Sequence, residues 1–275
     1  MAITLRLRNP CTIPISVKGI VPRRLVDAGI SNFEKLPIWF GNRQTALAEV
    51  FEIKSSTARE DELVWEGDLS NVSWIGHAMN GGSIHIDGDV RDHLGSQMSG
   101  GQISVDGSAR EYVGAEMNGG VITIANHAGD WLGAAYPGSS VGVSGGKIVV
   151  GGHTGNGAGF RMRRGTLIVK GDCGQALGWE MRAGTIIAGG RLKTECGRRM
   201  IRGTIILNCP ESAAENSKSL PATFSRGGIF QPVFLDLIKR HFDRVDLESG
   251  RYYQMFHGDH LCGGRGEVFI PCVNP

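Results

Sequence analysis

Between Asn80 and Cys209, apolar side chains recur in pairs that flank one variable position: Ile84/Ile86, Ile103/Val105, Ile122/Ile124, Ile148/Val150, Leu167/Val169, Ile186/Ala188 and Ile205/Leu207. Apolar, variable, apolar is period-two alternation, the mark of a short strand with one face inward. The middle residue faces out and reads His85, Ser104, Thr123, then Val149, Ile168, Ile187 and Ile206. An outward face that turns apolar halfway along predicts a cover over its second half, from a partner or from the C-terminal segment. A glycine precedes each pair, at Gly82, Gly101, Gly120, Gly146, Gly165, Gly184 and Gly203. Neighbouring glycines differ by 19, 19, 26, 19, 19 and 19 positions, so one repeat carries a seven-residue insertion, placed at Pro137 to Val143. A fixed period of this length marks stacked repeats.

Further columns fill out the repeat. A turn column holds Gly88, Gly107, Asn126, Gly152, Gly171 and Gly190. Asn is the non-glycine residue that best tolerates positive φ, so this corner is predicted to be left-handed. A small inward column follows at Val90, Ala109, Ala128, Thr154, Cys173 and Leu192, then a second apolar column at Leu94, Val113, Leu132, Ala158, Leu177 and Cys196. Each member of that second column precedes a glycine, and three residues after the glycine stand Met98, Met117, Tyr136, Met162, Met181 and Met200. One strand and two glycine corners per repeat predict an all-β-dominated fold, a parallel β-helix of about seven 19-residue coils. At ~4.8 Å per coil the rod is roughly 30 Å long. The hand is taken as right, as for nearly all parallel crossovers. The Leu and Asn ladder of a leucine-rich repeat is missing.

The flanks leave the period. Residues 1–62 read as a small α/β cap: ITLRL (Ile3 to Leu7) alternates like a strand, and VPRRLVDAG is a short helix between Pro22 and Gly29. LPIWFGN turns at Gly41 and Asn42, and ALAEVFEI returns as a strand. Repeat stacks need atypical ends, because a bare end exposes core and strand edge. Trp65 to Met79 is a degenerate repeat, so the array spans residues 63–209. Residues 210–275 begin as a polar connection, continue as an amphipathic helix from Phe230 to Phe242, and end as two strands around Gly263 and Gly264.

Composition narrows the function. With 29 basic and 27 acidic side chains the net charge is +2, and nothing in it suggests general nucleic-acid binding. The 42 glycines sit at fixed phases of the repeat rather than in a flexible tract. No 18-residue apolar run and no leader-like start is present, so the expectation is a cytoplasmic chain away from membrane. The six cysteines lack a CxxC pair and read as free thiols.

Candidate chemistry is sparse. Asp87, Asp89 and Asp106 occupy turn phases beside glycine. The outward column is too inert for a polysaccharide-cleaving β-helix enzyme, and the glycine pairs lack the strand-to-helix context of a nucleotide loop. His257, His260 and Cys262 form H-x-x-H-x-C, but a structural zinc site brings a second ligand pair from elsewhere. They read as ordinary side chains of a hairpin, and His85 and His93 as exposed residues without a role. No catalytic residue and no metal site is expected. The suggestive feature is basic: Arg161, Arg163, Arg164, Arg182, Arg198, Arg199 and Arg202 recur around the methionine phase and stack as a ridge, balanced in part by Glu180 and Glu195. Such a ridge is either a solvated edge or a contact for a polyanionic tail or acidic partner.

The phrase G-x-x-M-x-x-G, in GSQMSGG, GAEMNGG and GWEMRAG, resembles the glycine-repeat β-helix domain of glutamate synthase. LPIWFGN with ALAEVFEI, and the ending GDHLCGGRGEVF, resemble the C subunit of formylmethanofuran dehydrogenase and of its bacterial counterpart, the formyltransferase/hydrolase complex. The resemblance implies a non-catalytic scaffold packed against subunits that do the chemistry. In the archaeal complex a tungsten or molybdenum subunit reduces CO2. In the bacterial one, which is the preferred reading, a formyltransferase subunit moves a formyl group from tetrahydromethanopterin to a methanofuran-type carrier, and a metallo-hydrolase subunit releases formate. The chain itself is expected to bind no cofactor, carrier and metal belonging to its partners. A polyglutamate tail on such a carrier would give the arginine ridge a ligand.

Overall fold

The structure is a computed structural model and describes residues 2–56, 62–235 and 250–272. The chain is mostly β. Thirteen described strands form one long mixed sheet. Its centre is a run of parallel strands, one from each repeat: Glu62–Glu66, Asn80–Asp87, Ser99–Val105, Asn118–Ile124, Gly145–Val150, Thr166–Val169, Thr185–Ala188 and Arg202–Leu207. Register follows the sequence phase, with Ile84 opposite Ile103, Ile122 opposite Ile148 and Ile186 opposite Ile205. A second line of single parallel bridges runs from Leu69 through Val90, Ala109, Ala128, Thr154 and Cys173 to Leu192. Between the two ladders lies one continuous core built from the inward columns.

The turn column does not adopt the predicted left-handed conformation beyond Gly88, and Asn126 is not at positive φ. Left-handed backbone lies instead at the next corner, where His93, Gly95 and Gln97 have φ of 65°, 60° and 56°. Glycine at the turn column serves close approach between repeats. A Cβ on Gly107 would collide with Asp89 Oδ1, and one on Gly152 would meet His127 Nδ1 at 2.5 Å. Those side chains are themselves occupied: Asp89 Oδ1 accepts from Ser108 N at 2.6 Å and His127 Nδ1 from His153 N at 3.0 Å. Asn126 follows the repeat in which this ladder position is Ser108, the shortest side chain of the set.

The insertion also sits one residue earlier than the sequence placed it. Val143, not Tyr136, occupies the methionine phase: it is buried, and its carbonyl accepts from Arg163 N as that of Met79 accepts from Ser99 N. Tyr136 is thereby released to the surface of neighbouring repeats.

The ends differ from the array in pairing. Ala2–Leu7 runs parallel to Glu62–Glu66 and antiparallel to the outer strand Phe51–Ser56. Buried Phe51 meets Trp65 edge-to-face at 5.3 Å. The helix Pro22–Ala28 and the hairpin Pro37–Phe40/Arg43–Ala46 form as expected. The predicted strand ALAEVFEI is half helical turn, Leu47–Val50, before the strand begins at Phe51. At the other end Arg265–Cys272 adds parallel to Arg202–Leu207, and Tyr252–Gly258 and Ser225–Phe230 extend it antiparallel. The polar connection holds a short helix, Ala213–Lys218, whose buried Asn216 accepts from Leu192 N at 2.9 Å and donates to the Gly190 carbonyl at 3.3 Å, closing the last repeat. Most of the expected helix from Phe230 to Phe242 lies outside the described residues; Phe230 ends a strand.

The apolar outward column is covered by the chain itself. Val149, Ile168, Ile187 and Ile206 pack with Leu235, Tyr253 and Phe269 in a second core. Among the described residues no helix is long and apolar enough to cross a membrane.

Candidate functional site

The arginines of the predicted ridge separate into two sets. Arg161, Glu180 and Arg199 share one phase of successive repeats, each at positive φ. Arg161 Nε lies 2.8 Å from Glu180 Oε2, and Arg199 Nη1 lies 3.6 Å from Oε1 of the same carboxylate. Arg161 also covers the ring of Phe160 at 4.8 Å, and Arg198 pairs with Glu195. These three guanidinia are neutralised locally. Arg163, Arg164, Arg182 and Arg202 are exposed, and among the described residues none lies within ion-pair distance of a carboxylate. Backbone bonds from Arg163 N to Val143 O, Arg182 N to Met162 O and Ile201 N to Met181 O put these three residues at one phase, stacked at ~4.8 Å. Arg202 is the register partner of Arg265, a fifth exposed arginine that the sequence reading did not include.

A second constellation was missed by the sequence reading. The residue before each member of the second apolar column is aromatic in four consecutive repeats, Trp74, His93, Tyr112 and Trp131, at φ of 69°, 65°, 58° and 61°. Equal phase makes the rings stack, with centroids 4.0 Å apart for Trp74/His93, 5.3 Å for His93/Tyr112 and 6.3 Å for Tyr112/Trp131, all within 19° of parallel. Trp131 then meets Phe160 at 5.7 Å, which meets Trp179 at 4.8 Å. Tyr136, freed by the insertion, lies over this ladder 5.2 Å from Tyr112, and its hydroxyl is 2.9 Å from His93 Nδ1. His77 Nδ1 lies 2.9 Å from the hydroxyl of fully buried Ser96, and the Lys18 ammonium sits 4.8 Å from the Trp74 ring. Burial, with Lys18 and His93 as like charges, pulls His77 down to about 4. Burial also lowers His93, and it pushes Tyr136 up to about 12. At neutral pH His77 is therefore neutral and the Tyr136 hydroxyl keeps its proton. His93 is therefore a packed, hydrogen-bonded residue rather than the exposed one expected. The signal was available: aromatic residues at one phase of adjacent repeats must meet.

Other candidates stay apart. His260 Nε2 meets the Ser225 hydroxyl at 2.8 Å, His257 packs beside Gly227, and among the described residues no three His, Cys, Asp or Glu side chains assemble as a metal site. Asp259 is opposed by burial but held below its ordinary carboxylate value by the Thr223 hydroxyl, the Arg199 and Leu261 N–H groups and His260. It ties the end turn to the last repeat, through Arg199 N at 2.9 Å. Ser104, His85 and Asp106 form a line on the outward face, with Ser104 Oγ 3.0 Å from His85 Nδ1 and Asp106 Oδ2 3.4 Å from Nε2. A nucleophilic serine also needs donors for an oxyanion. The strands here pair in parallel on both sides, which uses their N–H groups in the sheet. Buried Cys173 and Cys196 have thiols pushed up by burial, Cys196 to about 12, which makes them core residues and not nucleophiles.

No known family profile matches the chain. The C subunit of the molybdenum-containing formylmethanofuran dehydrogenase 1 of Methanothermobacter marburgensis is 34% identical over 96 residues, 34% of this chain and 24% of that protein. The C subunit of the formyltransferase/hydrolase complex of Methylorubrum extorquens is 38% identical over 93 residues, 33% of this chain and 34% of that protein. The matched stretch thus spans about a third or less of these curated relatives. The structural likeness runs much further. A chain in the crystal structure of the Methylorubrum extorquens formyltransferase/hydrolase complex with methylofuran superposes with a TM-score of 0.86 and 32% identity, over 98% of this chain and 100% of that one. The protein belongs to the family of C subunits shared by formyltransferase/hydrolase complexes and formylmethanofuran dehydrogenases.

Proposed function

We propose that this chain is the scaffold subunit of a cytoplasmic formyltransferase/hydrolase complex, which converts formyl-tetrahydromethanopterin to formate through a methanofuran-type carrier. The observation that carries this is the end-to-end likeness to a chain of the Methylorubrum extorquens complex, including both caps as well as the repeats. The repeats wind as a right-handed parallel β-helix of seven coils, with residues 1–62 and 210–275 as caps. In this reading a formyltransferase subunit and a metallo-hydrolase subunit perform the chemistry, and carrier and metal belong to them. The stacked rings, the buried columns and the side-chain ladders of the array serve rigidity, which is what a scaffold supplies.

Of the seven arginines expected at an anion site, Arg161, Arg198 and Arg199 are occupied by Glu180 and Glu195. Arg163, Arg164, Arg182 and Arg202 remain for a carboxylate-rich ligand, whether a carrier tail or a neighbouring protein. A second reading, the C subunit of a tungsten or molybdenum formylmethanofuran dehydrogenase, is favoured by the 34% identity to the Methanothermobacter protein over 96 residues. The test is turnover. The purified chain alone is expected to neither transfer nor hydrolyse formyl groups, and the reconstituted complex is expected to need it. Formyl release by the isolated chain would overturn the proposal.

A further inference from the structure

The net charge of +2 conceals a strong polarity along the stack. Residues 62–130 carry ten acidic side chains and two basic ones, a balance of −8. Residues 131–209 carry three acidic and eleven basic ones, a balance of +8. Asp87 and Asp106 stand where strands end, whereas Arg163, Arg164, Arg182 and Arg202 stand where strands begin.

The basic edge has the make-up of a binding surface. Among its exposed guanidinia stands Ile201, which is 42% exposed at the phase of Arg163 and Arg182. Arginine and aromatic residues are enriched at interface hot spots, and scattered solvated charge does not require apolar neighbours. We infer that the edge formed by Arg163, Arg182, Arg202, Arg265 and Ile201 docks an acidic face of a different protein subunit. This rests on the scaffold reading and names the sign and the place of one contact.

Charge complementarity selects the occupant. A second copy related by a two-fold axis through this edge would set exposed Arg163, Arg182, Arg202 and Arg265 against their own counterparts, like charge against like. A free polyanion would engage the arginines without any use for Ile201. An acidic protein face uses both kinds of group: carboxylates meet guanidinia in forked pairs, and apolar side chains exclude water around them.

The test uses the assembled complex, purified through a tag on this chain. Arg163→Glu/Arg182→Glu/Arg202→Glu is compared with Arg191→Glu/Lys193→Glu, a charge reversal at another corner of the seventh repeat, and with Ile201→Glu. Circular dichroism and thermal melting establish that each variant is folded. The triple reversal and Ile201→Glu are each expected to lower the recovery of one identified, acidic-faced subunit at least tenfold. The Arg191/Lys193 variant is expected to retain it, and the wild-type contact to weaken as salt is raised. Complexes of unchanged mass and salt tolerance from the triple variant would overturn the inference while leaving the scaffold reading intact. So would loss of free poly-glutamate binding with assembly unaffected. A wild-type chain that holds no partner would overturn the scaffold reading itself, and this inference with it.

Discussion

The hydroxyl of Tyr136 lies 2.9 Å from Nδ1 of His93, 43 positions earlier in the chain. The extra residues of the fourth repeat make this contact possible, because Val143 takes over the core position that Tyr136 would otherwise fill. Tyr136 then lies across three neighbouring rings, those of Trp74, His93 and Tyr112. Tyr136→Phe should keep the ring contacts and lose the hydrogen bond, costing about 1 kcal/mol. Tyr136→Ala should lose both, costing about 2–4 kcal/mol. Urea unfolding of the two variants checks the order. Equal stability of Tyr136→Ala and wild type would remove the insertion from the structural account.

Acid should act through the same cluster. The ordinary histidine value is 6.5, and His77 is lowered to about 4 in the fold. A depressed folded value means that the unfolded chain binds the proton first. The stability contributed by neutral His77 is therefore complete above pH 6.5, declines as pH falls, and is gone below about 4. His93, also lowered, adds in the same direction. Unfolding free energy measured from about pH 7 to pH 4 should fall, and His77→Asn, which keeps a partner for Ser96 without the charge, should flatten part of that slope.

The turn column gives a cleaner test of inter-repeat packing. Asn126→Gly should be tolerated within about 0.5 kcal/mol, because Asn126 already has room beside Ser108. Gly152→Asn should cost about 2 kcal/mol or more, since its Cβ would lie 2.5 Å from His127 Nδ1. Thermal melting distinguishes this from a left-handed corner, where Asn would be accepted at both positions.

The outward column should be sensitive in one half only. Ile187→Ala removes methyl groups from beneath Leu235, Tyr253 and Phe269 and should cost about 2–4 kcal/mol. Thr123→Ala, at the same phase outside that cover, should change stability by less than about 0.5 kcal/mol. Comparable losses at both sites would contradict coverage by the C-terminal segment.

The repeat was legible because every strand repeats one alternation at one phase, so Ile84, Ile103 and Ile122 announce both the strand and its register. The apolar run from Val149 to Ile206 likewise announced a cover. What failed were inferences from single residues. Asn126 was read through backbone conformation, whereas the ladder side chain Ser108, 18 positions earlier, decides what fits there. Tyr136 was read through phase, although an insertion lets the chain re-enter the period at any of several positions. The ridge was counted as seven arginines because stacking is visible in sequence; which of them meet Glu180 and Glu195 depends on side-chain direction at positive-φ corners. The aromatic ladder was readable from its column and was overlooked because the residue types along it differ.

The central claim is that this chain holds enzyme subunits together, and its native company tests that most directly. Purified through a tag from its own cells, the chain should elute in a hetero-oligomer whose other members include formyltransferase and hydrolase subunits. A chain that elutes alone, or with a glutamine amidotransferase instead, would contradict the account.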